Sequence, residues 1–337
     1  MSSWLALASE AIRNNEGVVL VTVCGVEGSA PREAGAKMLV TRDRFHGTIG
    51  GGNLEFNAIA RAREILGSDC EIQFEDLPLG PALAQCCGGR VRIGYERLDS
   101  RDLEWLQRAG DLIAQSESII LERNLSERDG RRRVNGASAT QGASAIEFLD
   151  ERGRAIADQI PPLEQCAGFR ERVEDDRPRI FVFGAGHVGT AIIRILEGMP
   201  AAVTWVDRRA ECFPAMPAAN VSMTETGDEV GAASIAPAGS YFLVLTHSHD
   251  VDYELVHAIL KRGDAAYCGL IGSETKRARF ARRLRRAGLD DSHLARLTCP
   301  IGVNGLKSKA PASIALSTVL EVFLAHEART EGGANWK

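Results

Sequence analysis

No run of apolar residues in the 337-residue chain is long enough to form a membrane-spanning helix, and the mean hydropathy of −0.11 agrees. The first residues, "MSSWLALASEAIRNNEG", have neither a basic start nor a true apolar block. They predict an amphipathic first helix over 3–15 and not a secretory leader, so a cytoplasmic location is expected. A disulfide framework is missing as well: the eight cysteines are scattered, with Cys86 and Cys87 adjacent, and read as reduced thiols. Nor is there an excess of positive charge. Forty Lys and Arg face 45 Asp and Glu, the net charge is −5 and the pI is near 5.9, which argues against nucleic acid as the main partner.

What the chain does have is enough apolar residue, 45%, to fill substantial cores, and a length that suits two domains. Two basic runs stand out, "ERDGRRRVNG" at 127–136 and "KRARFARRLRRAG" at 276–288. In the second, Phe280 and Leu284 form an i, i+4 apolar stripe and the arginines cover the remainder, as on an exposed helix lying on a sheet. A solvated face is the simpler reading of both runs, and a docking surface for an acidic partner or ligand the alternative.

The first half reads as β-rich with a few helices. "VVLVTVCGV", "AKMLVT", the segment Phe45 to Ile49, "EIQFEDL", "RVRIGYERL", "SIILERNL" and "SAIEFLD" are predicted strands, with a helix over about 101–115. The charged, aperiodic "QCAGFRERVEDDRPR" marks a linker. The expected organisation is a mixed α+β domain over 1–165, a linker over 166–178 and an α/β domain over 179–330.

"HGTIGGGNLEFNAIARAREIL" (46–66) places Gly50, Gly51 and Gly52 before a helical pattern. Glycines that tolerate positive φ, followed by a helix N-terminus, make an anion cradle, with Asn53 as N-cap and Ile59 and Ile65 on the buried face. A tight turn that binds nothing is the other reading. The signal is more specific at "RIFVFGAGHVGTAIIRILEGMPAAVTWVD". A strand feeds Gly184-Ala-Gly186-His187-Val-Gly189, a helix follows, and a second strand closes on Asp207 about 20 residues past the glycines, the pattern of a Rossmann βαβ unit. Later strands "YFLVLTH", "AAYCGLIGS" and "RLTCPIG" alternate with helices at 250–262, 274–287 and 311–328, which predicts a doubly wound parallel sheet.

Fold alone does not give chemistry. His247, His249, Asp250 and Asp252 could ligate a metal, cap a helix, or line a cofactor crevice. At "LGPALAQCCGGRVRI", two adjacent thiols precede Gly88 and Gly89, with Arg90 and Arg92 to favour thiolate; such a thiolate suits molybdenum, copper or a persulfide sulfur. Cys24, Cys70 and Cys268 read as ordinary structural cysteines.

Together, "VEGSAPREAGAKMLVT", "GTIGGGNLE", "CCGG", "FGAGHVG", "GLIGS", Lys276 with its basic helix, and "CPIGVNGLKSKAPASIALSTVLEV" resemble the XdhC/CoxI family of xanthine dehydrogenase accessory proteins, in family order over nearly the whole chain. The departure is in "GVNGLKSKAP", where Asn304 and Lys307 replace a more apolar, glycine-rich stretch. The resemblance implies an N-terminal XdhC/CoxI domain followed by a Rossmann-type domain. It also implies a chaperone without turnover of its own, which holds the molybdenum cofactor (molybdopterin) while a cysteine desulfurase sulfurates it and then inserts it into apo xanthine dehydrogenase. On that reading Cys87, directly before the two glycines, meets the metal and Cys86 assists. Gly50, Gly51, Gly52 and Asn53 cradle the cofactor's phosphate, with Arg32 and Lys37 either as further contacts to phosphate or pterin or as plain surface residues. Gly184, Gly186, His187, Gly189 and Asp207 form the opposite wall of one cleft and could also hold a dinucleotide, NAD in preference to NADP. A homodimer is expected from exposed strand edges. The alternatives are a nicotinamide- or flavin-dependent oxidoreductase in which Asp207 reads the ribose, and a vicinal-thiol redox sensor.

Overall fold

The structure, a computed structural model, describes residues 4–80, 88–114, 118–125, 132–136, 146–173, 175, 177–303, 305–306 and 308–330. The chain divides into two compact units, residues 2–175 and 176–337.

In the N-terminal unit, β1 (Val18–Glu27) is central to a five-stranded antiparallel sheet of order β3-β2-β1-β5-β4, formed with β2 (Lys37–Val40), β3 (Phe45–Gly47), β4 (Ile72–Pro78) and β5 (Arg90–Leu98). The continuous apolar run of β1 arises because both of its faces are covered. Val19, Val21 and Val23 pack against helix α2 (Gly52–Leu66), while Val18 and Leu20 pack with α1 (Trp4–Arg13) and α3 (Leu103–Ala114). Helix α2 buries Leu54, Ala58, Ala62 and Ile65; Ile59, expected inside, is only half-buried.

The second antiparallel sheet has the order β7-β6-β9-β8, with β6 (Ile119–Asn124), β7 (Arg133–Gly136), β8 (Ile146–Leu149) and β9 (Gly168–Val173). Two of these elements correct the sequence reading. Strand β9 occupies the segment read as a linker from 166 onward: it is charged because its polar positions meet partners on neighbouring strands, and it ladders with β6 over its whole length and with β8 over residues 168–171. Strand β7 lies at the end of the first basic run, and Arg132, just before it, is buried and not solvated.

The cause is an ion network between the two sheets. Glu96 of β5 accepts from Arg123 of β6 (3.0 Å) and from Arg132, Arg132 also reaches Glu171 of β9 (2.6 Å), and Glu171 pairs with Lys37 of β2. All five side chains are nearly excluded from solvent. Glu96 stays ionised: burial opposes its charge, but Arg132 and Arg123 outweigh that and lower its pKa.

The C-terminal unit is a parallel sheet of order β12-β11-β10-β13-β14-β15, with β10 (Arg179–Phe183), β11 (Ala202–Asp207), β12 (Val221–Glu225), β13 (Tyr241–Val244), β14 (Tyr267–Leu270) and β15 (Leu297–Thr298). In order of appearance this is 3-2-1-4-5-6, the doubly wound arrangement whose direction reverses between β10 and β13. Helices α4 (His187–Leu196) and α9 (Pro311–Thr330) cover one face through Ile192, Leu196, Val319 and Val322. Helices α5 (Glu229–Ser234), α6 (His249–Arg262) and α7 (Glu274–Arg286) cover the other, where Leu255, Ile259, Phe280 and Leu284 are buried. The fold is therefore mixed α/β, with an α+β unit followed by a Rossmann-type one. A short helix, α8 (Asp291–Leu294), precedes β15. Strand β12, α5 and α8 were not expected from the sequence.

Candidate functional site

Three glycine-bearing segments of the N-terminal unit meet around the connection between β1 and β2. Gly28 (φ +73°) lies against Gly89: a Cβ on Gly28 would sit 3.1 Å from the Gly89 Cα, and one on Gly89 would sit 2.5 Å from the Ser29 carbonyl oxygen. Two residues further along, a Cβ on Gly50 would come within 2.6 Å of Pro31 Cγ and 3.6 Å of Arg32 Cγ. The "GSAPR" segment thus touches the glycine end of the cysteine motif on one side and the glycine strip on the other. These approaches are possible only for a backbone without side chains. Among the described residues nothing lies within 4 Å of where a Cβ on Gly51 or Gly88 would stand.

Cys86 and Cys87 lie outside the described residues. The chain on either side of them is fixed, with the Leu79 N–H donating to the Gly89 carbonyl at 2.8 Å. Arg90 and Arg92, expected to act on the thiols, have carboxylate partners. Arg90 pairs with Glu27 (3.1 Å); Arg92, which is buried, grips Asp76 with two bonds (2.6 and 2.7 Å) and donates to the Pro161 carbonyl. Lys37 belongs to the buried ion network and Arg32 pairs with Glu33 (2.9 Å), so Lys37 is not a surface contact for a ligand.

The glycine strip turns with φ of +124°, +72° and +62° at Gly50, Gly51 and Gly52, which gathers backbone N–H groups into a nest. Its N-cap is Gly51 and not Asn53, which sits one residue inside the helix. The nest is filled from within. Glu55 Oε2 accepts from the Ile49 N–H (3.0 Å), the Gly51 N–H (3.2 Å) and the Thr48 hydroxyl, which in turn accepts from the Gly50 N–H (3.1 Å). Burial opposes the Glu55 charge, but the hydroxyl and the backbone N–H groups hold its pKa below the ordinary carboxylate range. An acid in the first turn of a helix behind a glycine strip is the sequence signal that could have revealed this partner.

In the Rossmann-type unit, Gly184 (φ +120°) turns the chain against Leu245, and a Cβ on Gly189 would collide with the Gly184 carbonyl, so α4 can pack on the loop only through glycine. Gly186 and His187 are exposed at the start of α4. Asp207 anchors the loop: its carboxylate accepts from the Ala185 N–H (2.6 Å) and from Arg209 through the backbone N–H (3.0 Å) and the guanidinium (2.9 and 3.0 Å). Burial works against its charge, and these bonds prevail, bringing its pKa down to about 2. A ribose would therefore have to compete with Arg209.

The histidine cluster does not assemble. His247, His249 and Asp250 are exposed, Ser248 is the N-cap of α6, and among the described residues no group of three or more His, Cys, Asp or Glu side chains is placed to hold a metal ion. Cys24 and Cys268 are buried, and burial pushes both thiols up to about 12, as befits structural cysteines; Cys70 is only half-buried.

The sequence pattern described as "XdhC Rossmann domain" matches residues 180–322, and that described as "XdhC and CoxI family" matches residues 11–74. The chain belongs to the XdhC and CoxI family. It is 25% identical to the molybdenum cofactor insertion chaperone PaoD of Escherichia coli (strain K12), over 94% of this chain and 86% of that protein. It is 25% identical to a probable xanthine dehydrogenase subunit of Bacillus subtilis (strain 168), over 96% of this chain and 97% of that protein. Similarity to the E. coli protein YqeB is 34% over 153 residues, and there the chain spans only 27% of the relative's length. A crystal structure described as that of a xanthine dehydrogenase from Bacillus halodurans has the same fold, with a TM-score of 0.73 and 20% identity over 98% of this chain and 97% of the other.

Proposed function

We propose that this protein carries the molybdenum cofactor as cargo, holds it for sulfuration by a cysteine desulfurase and delivers it to an apo xanthine dehydrogenase, without turnover of its own. The observation that carries the reading is the meeting of the "GSAPR" connection with Gly50 and Gly89. It brings a backbone donor nest and the glycine end of the CCGG motif to one place in the N-terminal unit, with space above Gly51 and Gly88 that no described residue fills. A cargo with a phosphate and an electron-poor metal needs that pair of features, an anion nest and a soft donor. The names of PaoD and of the B. subtilis relative support the same reading.

In this account the cofactor's phosphate takes the N–H groups that Glu55 now occupies, and Cys87, with Cys86 beside it, provides the sulfur donor. The Gly184–Gly189 loop and Asp207 hold a dinucleotide of their own, and the working form is a homodimer. The test is direct. The purified full chain, mixed with cofactor released from a molybdenum enzyme and passed over a sizing column, should retain molybdenum and pterin fluorescence in equal amounts. Glu55→Ala, which empties the nest, should retain the cofactor more tightly, and Cys87→Ala should lose most of it. Pterin and metal that elute free of the parent chain would refute the proposal.

A further inference from the structure

At the carboxyl ends of β13 and β14 lies a cavity of about 500 Å³, within the range of small-ligand sites; Thr246 on its wall follows Leu245, against which Gly184 packs. Its floor is built around one ammonium group. Asp252, 1% exposed, accepts from the Thr246 N–H (3.0 Å), the Thr246 hydroxyl (2.8 Å) and Lys276 Nζ (2.7 Å). Lys276 also donates to the Ile271 carbonyl (3.0 Å) and lies over the Phe280 ring, 5.4 Å from its centroid. Gly272 makes room for it: a Cβ there would stand 2.7 Å from Lys276 Cδ and 3.3 Å from Cys299 Sγ.

A buried Asp–Lys pair adds little net stability over an apolar pair of the same volume, so this arrangement is better explained by where it puts the charge. Two of the three ammonium donors are used inside the protein, which leaves one, and Lys276 is among the residues that line the cavity. Asp252 cancels the Lys276 charge, and the excess positive charge comes from Arg279, which is exposed on the wall and, among the described residues, has no ion-pair partner. His249 and the Ser273 hydroxyl complete a rim on which no carboxylate is found among the described residues. The neighbouring acids are turned to other partners, Asp250 to Arg283 (3.2 Å) and Glu274 to a separate cavity shared with Arg277 and Asp291.

We infer that this cavity binds the phosphate or pyrophosphate group of a ligand, with Lys276 as the fixed donor and Arg279 as the closing one. Inorganic pyrophosphate is the probe. Calorimetric titration of the full chain at low salt should give saturable binding, weakened about tenfold or more in Arg279→Ala, the loss expected for a charge-assisted hydrogen bond. Arg286→Ala removes the same charge from the exposed last turn of α7 and should bind like the parent. NAD that displaces pyrophosphate from the parent, with an affinity also reduced in Arg279→Ala, identifies a dinucleotide as the source; displacement by inorganic phosphate and not by NAD identifies a phosphomonoester. No saturable binding by the parent, or equal weakening in both variants, overturns the inference. The readout needs neither molybdenum nor pterin, so its outcome is separate from that of the proposed carrier function.

Discussion

Glu55 determines the state of the glycine strip when no ligand is near. Its carboxylate supplies the negative charge that a nest of N–H groups attracts, which explains why three consecutive glycines with positive φ persist in front of α2. The folded pKa of Glu55 lies below its ordinary value, so its contribution to stability is complete above the unfolded pKa and is lost as the pH falls through the folded one. Denaturant unfolding of Glu55→Gln should therefore show a shallower loss of stability below about pH 4.3 than the parent shows. Parallel acid limbs in the two proteins would mean that the carboxylate is not held there. Substituting Gly51 is a poorer probe, because at φ +72° any side chain adds strain of its own.

The βαβ start of the C-terminal unit was legible in the sequence because strand, glycine loop and helix follow one another with little else between them, whereas the short β12, α5 and α8 were not. Asp207 closed the pattern at the right distance, and Phe280 and Leu284 gave the buried stripe of α7. In the N-terminal unit two strands went unread. Strands β7 and β9 are charged, and charge suggests solvent until the partner is known; Arg132 and Glu171 are 39 residues apart and meet only in the folded sheets. The roles of Lys37, Arg90, Arg92 and Glu55 were hidden for the same reason, since each depends on a carboxylate or backbone partner that composition cannot assign. The network is also a structural prediction. Arg132→Met leaves Glu96 and Glu171 buried without their shared cation, which should destabilise the N-terminal unit by about 3–5 kcal/mol, read by denaturant unfolding of the full chain. A change below about 1 kcal/mol would show that the two sheets are held by their apolar core alone.

At the scale of the whole molecule, the N-terminal unit offers a filled anion nest near the glycine end of the CCGG motif, and the Rossmann-type unit offers a glycine loop tied to Asp207 and a cationic cavity at the ends of β13 and β14. Each has features that suit a place that holds an anion, and what the proposed carrier must show is delivery. The most direct measurement is the activation of a purified apo xanthine dehydrogenase by a limiting amount of cofactor and a cysteine desulfurase, with and without this chain. The account predicts that the parent chain raises the recovered hydroxylase activity several-fold and that Cys87→Ala returns it to the level found without the chain, while Cys24→Ala, at a buried structural thiol, activates like the parent. Activation that is the same with and without the parent chain would contradict it.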